Sequence, residues 1–317
     1  MAVTLKTPTY SFMQIGAGEL DAGCVPDVNI CLPVQALTDL SFQVMALVDK
    51  ADQAWFEQID EAHSGEGVVT KQTIMAMICH ECTNDEDNFF TNAPSFTGTW
   101  TKIEDGVSGP DIWIGNFTFN GHDDLFNAIP LGFCFNLCFY RVYLTTDFVG
   151  AISISFVNTT LIACTDVCFQ KIDDACYTSL FTYKCYENSF DFDYANDFIN
   201  KVRLPCYLRN MQLPSEEKSY IKSDGSKIKL YERIEEEYDL IIDWIPKEWH
   251  KKLKVLLAHD YITIDNTNDA PVSNAKIICR EKYEITWPDL PWNWKTAPAQ
   301  TKVVRSESLS LINTNCN

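Results

Sequence analysis

The chain has 317 residues, 46% of them hydrophobic, and a formal net charge of −19, so it can bury real cores and is not a disordered polymer. The charge is uneven. Residues 1–170 hold 21 acidic and 5 basic side chains, net −16, whereas residues 171–317 stand near balance at −3, and the acidic half repels nucleic acid and anionic membrane, which excludes direct nucleic-acid reading there.

Met1 to Leu20 lacks a basic start followed by an apolar core, so no signal peptide is expected. The longest apolar-leaning run, Phe148 to Val157, is interrupted by Ser153 and Ser155 and is too short to span a bilayer; membrane insertion is not expected. Thirteen cysteines without an export signal are expected to be reduced and buried as small hydrophobes, as in Phe133-Cys134-Phe135 and Leu137-Cys138-Phe139.

In chain order, residues 1–30 are rich in Gly, Pro and Asp and read as an irregular arm. Apolar alternation predicts strands over Ala36 to Val48. Lys50 to Ala62 is compatible with a strand or one short helix, and His63 to Gly67 with a loop. Asn84 to Asn127 and Leu131 to Phe156 carry aromatic-punctuated short runs between glycines, the pattern of a β-sandwich or jelly roll. Cys164 to Cys185, where the charge balance changes, reads as the seam between halves. We therefore expect a mainly β (α+β) protein with an acidic β-rich domain over 1–168. An antiparallel β domain with one flanking helix follows over 169–317.

Within the second domain, Tyr177 to Tyr183 is strand-like, Asn188 to Asn200 alternates aromatic and polar residues, and Pro205 makes Val202 to Arg209 an edge strand. Tyr220 to Ile264 is the best-defined stretch. Asp224-Gly225 at the tip of a hairpin suits a primed turn. One long strand is expected to return from it, with Ile228, Leu230, Ile234, Tyr238, Leu240 and Ile242 on one parity and Lys229, Arg233, Glu235, Glu237 and Asp239 on the other. Pro246 is expected in the first turn of a helix burying Trp249, Leu253, Leu256 and Leu257, with Lys247, Lys251, Lys252, Lys254 and His250 on its polar side. Strand Tyr261 to Ile264 follows, then a loop over Asp265 to Ser273, strand Ile277 to Trp287, a Trp/Pro segment and a last strand near Thr301 to Arg305.

Chemistry-bearing groups are present without a catalytic pattern. Cys79-His80-Glu81-Cys82 has C-x-x-C spacing, and Cys134/Cys138 with Cys164/Cys168 could complete a four-thiolate zinc site. Residues i and i+4 of one strand, however, lie about 13 Å apart and cannot share a metal. His259-Asp260 could be an acid–base pair, but a last-turn histidine on a helix dipole accounts for it. Glu232, Glu235, Glu236, Glu237 and Asp239 could supply a glycosidase pair; beside Lys227, Lys229 and Arg233 they read as a solvated or interface face. Asp123/Asp124 and Asp191/Asp193 lack a calcium-loop pattern. Trp100 and Trp113 could line a sugar cleft or fill a core. Asn116-Phe117-Thr118 and Asn158-Thr159-Thr160 are sequons with no meaning absent secretion. No catalytic residue, metal site or cofactor is expected, and binding residues stay open.

One resemblance adds to this. Cys176-Tyr177-Thr178-Ser179-Leu180, Tyr183-Lys184-Cys185, Asn188 to Tyr194, Val202-Arg203-Leu204-Pro205, Tyr207-Leu208-Arg209, Ser223-Asp224-Gly225-Ser226, Glu248-Trp249-His250 with Leu253, and Ala258-His259-Asp260 resemble virion structural proteins of tailed phages infecting Bacteroidota, crAss-like phages among them. The likeness covers about Phe169 to Asp265. It implies a non-enzymatic neck, tail-ring or baseplate subunit, assembled in the host cytoplasm into the virion as a homo-oligomeric ring. Its partners would be copies of itself and other tail or neck proteins. The alternative is a carbohydrate- or receptor-binding module using Trp100 and Trp113.

Overall fold

The computed structural model describes residues 3–17, 30–53, 56, 69–80, 95–104, 106–119, 127, 129–146, 152–185, 198–266, 272–280, 282–288, 295–306 and 309–312. The protein is mainly β, in several antiparallel sheets, with one α-helix among the described residues. By internal contacts the chain divides into two units: Met1–Asp174 with Cys185–Val202, and Ala175–Lys184 with Arg203–Asn317. The stretches Asn188 to Phe198, His63 to Gly67, Asp123/Asp124 and Cys82 fall wholly or mostly outside the described residues.

The first unit is one ten-stranded sheet. Its strands are β1 (Thr4–Lys6), β2 (Ile15–Ala17), β3 (Leu32–Val34), β4 (Phe42–Val48), β5 (Val69–His80), β6 (Ser95–Glu104), β7 (Asp111–Phe119), β8 (Cys134–Thr146), β9 (Ile152–Thr165) and β10 (Phe169–Lys171). The order is β1-β4-β7-β6-β5-β8-β10-β3, and β9 pairs with β8 and β2. The arm expected over residues 1–30 thus contains two short strands, each stitched to a longer one (Leu5 opposite Ala46, Gly16 opposite Cys164). Part of the strand expected from Ala36 is instead a 3-10 turn over Leu37–Leu40, because Asp39 turns its carboxylate back to accept from the Gln35 amide at 2.8 Å.

Alternation along β4 buries Phe42, Val44, Ala46 and Val48 and leaves the intervening residues half-buried. Three strand spacings separate β7 from β8 in the ladder, about 14 Å on a flat sheet. Yet the rings of Phe117 and Phe139 meet edge to face at 5.4 Å, and Phe42 meets Phe139 at 6.0 Å. The sheet is therefore curled over an aromatic core. Gly115 serves that curl: the Trp100 ring lies across it, with an added Cβ falling 2.7 Å from the indole.

The second unit contains β11 (Ser179–Lys184), β13 (Cys206–Gln212), β14 (Ser215–Ile221), β15 (Lys227–Ile234), β16 (Glu237–Pro246), helix α1 (Lys247–Leu256), β17 (Tyr261–Asn266), β18 (Val272–Cys279), β19 (Glu284–Ile285), β20 (Thr296–Arg305) and β21 (Leu309–Ile312). The chain crosses into it along β12 (Asn200–Leu204). The larger sheet runs β12-β11-β17-β18-β20-β16-β13, with β19 on β20. Only Pro205 separates β12 from β13, which occupy the two ends of that path. The sheet therefore returns on itself at the bend, where the Pro205 carbonyl accepts from the Asp243 amide at 3.0 Å. Proline sits at such an edge because it has no N–H to give a ladder.

Helix α1 connects β16 to β17 and buries Trp249, His250, Leu253 and Leu256. Each fully buried leucine contributes about 2 kcal/mol relative to exposure. Glu248 in the first turn and Lys254 in the last complement the helix dipole.

Four expectations for this stretch need correction. The long returning strand is broken at Glu235-Glu236: β15 belongs to a small sheet, β14-β15-β21, and β16 to the large one. Two backbone hydrogen bonds hold the break, Glu235 amide to Pro214 carbonyl at 3.0 Å and Arg305 amide to Glu236 carbonyl at 2.9 Å. The hairpin turn is not primed. Among its tip residues Gly225 alone has positive φ, +85°, and its amide bonds the Lys222 carbonyl at 3.0 Å, which is a type I turn followed by a glycine bulge. Asp224 completes it by accepting from the Ser226 amide at 2.8 Å. Pro246 closes β16 and sits at the N-cap with ψ 152°, one residue before the first turn. His250 is buried, not on the polar side.

Candidate functional site

The three-stranded sheet β14-β15-β21 is the most conspicuous feature of the second unit. Every residue of β14 is exposed. Tyr220 and Ile221 at its end are 57% and 66% exposed, and Met211 and Leu213 just before it are 55% and 57% exposed. The charged residues between them pair along the arm: Glu217 with Lys227 at 3.2 Å and with Lys229 at 3.6 Å. The Lys227 ammonium, then that of Lys229, holds the Glu217 carboxyl below its usual range. Both partners are in water, so these pairs orient side chains more than they stabilise. Among the described residues, β14 and β21 are the two outer strands of this sheet.

At the base of the arm the carboxylate run meets Arg233, expected beside it, and also Arg280, Lys302 and Arg305 from far along the chain. Glu235 is buried and takes both guanidinium nitrogens of Arg280, Nη2 to Oε1 at 2.7 Å, as well as Arg233 at 2.9 Å. Glu236 accepts from Arg305 at 3.3 Å and from the Tyr238 hydroxyl at 3.1 Å. Glu237 accepts from Lys302 at 2.8 Å, and Asp239 from the Asn210 amide at 2.8 Å. A carboxylate so engaged is an acceptor. A glycosidase pair needs one member kept protonated in an apolar site. Arg280 is 42% exposed, so solvent screens its pair and the bridge is worth about 1 kcal/mol at most. Its role is geometric: it ties the hinge between β15 and β16 to the end of β18. Arg280 and Arg305 lie 45 and 69 residues from their carboxylates, which is why no local pattern shows the pairing.

His250 and His259, the two histidines whose side chains are described, are both held by hydrogen bonds. His250 donates Nε2–H to the Ala297 carbonyl at 3.0 Å, and its Nδ1 accepts from the Tyr283 hydroxyl at 2.6 Å, which fixes a neutral tautomer. His259 donates Nδ1–H to the Val255 and Leu256 carbonyls at 2.8 and 3.1 Å, capping the end of α1, and meets the Tyr183 ring edge-on at 4.8 Å. Burial pushes both pKa values below the ordinary 6.5. The unfolded chain then takes up protons that the folded chain refuses. Stability from these groups is complete above pH ~6.5 and is lost as pH falls through the folded values. We expect the urea midpoint to drop between pH 7 and 5, and the drop to shrink in a His250→Gln/His259→Gln double variant. An unchanged pH slope in that variant removes the two rings from the account.

Beside His250 lies a cleft of about 540 Å³ bordered by Lys247, Lys251 and Lys254 on α1 and by Tyr283 and the exposed Trp287. Its charged lining residues are cationic and most of its lining surface is apolar.

The aromatic pair of the first unit is core. Trp100 and Trp113 are 8% and 6% exposed, and Phe56 packs on both at 4.7 and 5.6 Å. Neither ring presents a free face to a sugar. Asn116 of the first sequon lies on β7, its side-chain carbonyl accepting from Gln43.

The cysteines whose side chains are described form no disulfide. Across strands they meet in ways the sequence spacing did not suggest: Cys31 with Cys134 at 3.1 Å and Cys138 with Cys164 at 2.8 Å. Cys206 is buried under Ser179, and desolvation pushes its pKa up to about 12. Among the described residues no group of three or more His, Cys, Asp or Glu side chains is placed to hold a metal, and no helix is long and apolar enough to cross a membrane.

Comparison of the chain with known protein families, with curated proteins and with solved structures finds no match.

Proposed function

We propose that the chain is a structural subunit of a tailed-phage virion, acting without catalysis and assembling into a homo-oligomeric ring of the neck or tail. The observation that carries the reading is the β14-β15-β21 arm. An isolated strand pair is marginal in water, and this one adds a third strand but leaves β14 wholly exposed, with no core beneath that strand. Such an element gains its stability when something covers it. Among the described residues its two outer strands, β14 and β21, are different ones. Joining β14 of one copy to β21 of the next is a heterologous contact, and heterologous contacts that close make rings.

The phage reading itself rests on the phrases between Cys176 and Asp260. The paired carboxylates and the neutral, hydrogen-bonded histidines support a role in contact over one in chemistry. Burial of Trp100 and Trp113 takes away the aromatic faces a sugar-binding module needs. Other tail and neck proteins are the further partners expected.

Native mass measurement and negative-stain electron microscopy of the purified full chain test the assembly. The expected result is one dominant closed oligomer, seen as rings. A chain that stays monomeric at the concentrations reached within an assembling particle overturns it. Imaging of particles that contain the chain tests its place in the virion.

A further inference from the structure

The pair Cys138 and Cys164 has a geometry that the proposed assembly role does not use. Both lie in the first unit, on adjacent antiparallel strands, and the ladder sets them directly opposite each other, Cys138 on β8 and Cys164 on β9. Directly opposed residues of an antiparallel pair have Cα atoms about 4.5 or 5.5 Å apart, depending on which kind of ladder position they occupy. Both values fall inside the window of about 4.4–6.8 Å that a disulfide requires. The thiols already point at each other, with Sγ atoms 2.8 Å apart, so a bond of about 2.04 Å needs only a small rotation of each side chain. Cys31 and Cys134 do not share this property. β10 lies between β3, which follows Cys31, and β8, so no ladder sets those two residues opposite each other.

We infer that Cys138–Cys164 is a site of reversible disulfide formation, which locks β9 to β8 once the protein meets a disulfide oxidant. The ladder here is irregular, with register shifts between Phe139 and Tyr140 and between Arg141 and Tyr143. A bond at one end pins a register that backbone pairing alone holds less firmly. The surroundings are apolar: Met75, Tyr140 and Val142 pack with the two sulfurs. Cys138 has no exposure and Cys164 keeps 8%, so Cys164 meets the oxidant first.

The chemistry balances with a low-molecular-weight disulfide, R–S–S–R. The Cys164 thiolate attacks one sulfur, releasing R–S⁻ and leaving Cys164 as a mixed disulfide. The Cys138 thiolate then attacks the Cys164 sulfur, the second R–S⁻ leaves, and the Cys138–Cys164 bond remains. Two thiols are oxidised, one external disulfide is reduced to two thiols, and the two protein protons end on the released R–SH.

The test is oxidation of the folded full chain with oxidised glutathione, followed by alkylation in denaturant and peptide mass mapping. The expected result is a cross-linked pair of peptides holding Cys138 and Cys164, two hydrogens lighter than the free pair and reversed by dithiothreitol. Oxidation should also raise the melting temperature by roughly 5–15 °C, as closing a loop of this length does. A Cys164→Ala variant should lose both the cross-link and the rise. Full alkylation of Cys138 and Cys164 after oxidation overturns the inference. So does linkage of Cys138 to another cysteine, or a stoichiometric tightly held zinc released by alkylating these two residues. Mapping of the unmutated chain decides the matter by itself if the variant does not fold.

Discussion

Phe117→Ala is expected to cost about 3–5 kcal/mol, the range for removing a buried aromatic ring from a packed core. Phe117 is 1% exposed. Its ring stacks on Phe42 at 5.2 Å and meets Trp100 and Phe139 edge to face at 5.5 and 5.4 Å. Such ring pairs add about 0.5–1.5 kcal/mol each beyond the area they bury. The site cannot collapse easily, because Gly98 and Gly115 on either side of this cluster already let the rings approach the backbone closely. The melting temperature should fall by roughly 6–20 °C for a unit of this size. Val107→Ser is the control: Val107 is 95% exposed and its change should stay within ~0.5 kcal/mol. A loss at Phe117 as small as the control's would mean that these rings do not hold the curled sheet together.

The second large effect is on assembly. Replacing Tyr220 with Lys and Ile221 with Glu puts charges at the two most exposed apolar positions of β14. Both side chains are out of the folded chain's core, so unfolding of the double variant should match the parent within ~0.5 kcal/mol. A neighbouring copy laid on this edge would have to bury two unpaired charges, at several kcal/mol. The oligomer should dissociate, its native mass falling to that of the single chain of 36.1 kDa. An oligomer that survives with unchanged affinity places the subunit contact elsewhere, and the arm then loses its assigned role.

The two experiments separate stability from association because they touch different units. Period-two alternation in Phe42 to Val48 and Tyr238 to Ile242 and the 3.6-residue spacing of Trp249, Leu253 and Leu256 are local signals. Each gave the right element, and the last two also gave the apolar residues that are buried, though not His250. The hairpin around Asp224-Gly225 was legible for the same reason, though its turn type was not. Whether Asp224 takes positive φ depends on the strand twist on either side, and the Ser226 amide instead draws its carboxylate into an Asx turn.

His250 shows the opposite case. It sits one residue from Trp249, at the margin of the apolar stripe, where helical spacing leaves its face undecided. Partners from residues 283 and 297 decide it, by satisfying both ring nitrogens in the interior. The same holds for the cysteines. Spacing along the chain grouped Cys134 with Cys138 and Cys164 with Cys168. Strand pairing instead sets Cys138 opposite Cys164, since neighbours in a sheet are set by register and not by sequence distance.

By itself, then, the amino-acid order determined that this is a mainly β protein with an amphipathic helix after a charged hairpin, and that its first 170 residues are strongly acidic. Those properties follow from interactions within a few residues, or from sums over the chain. The tertiary structure alone decided that the strand after the hairpin breaks between two sheets, that Cys185–Val202 belongs with the first unit, that the Trp100/Trp113 cluster is core, and that Arg280 and Arg305 hold the carboxylate run. Each depends on residues far apart in sequence brought together by closing the sheets, and the loop entropy spent there is repaid only when the whole ladder forms.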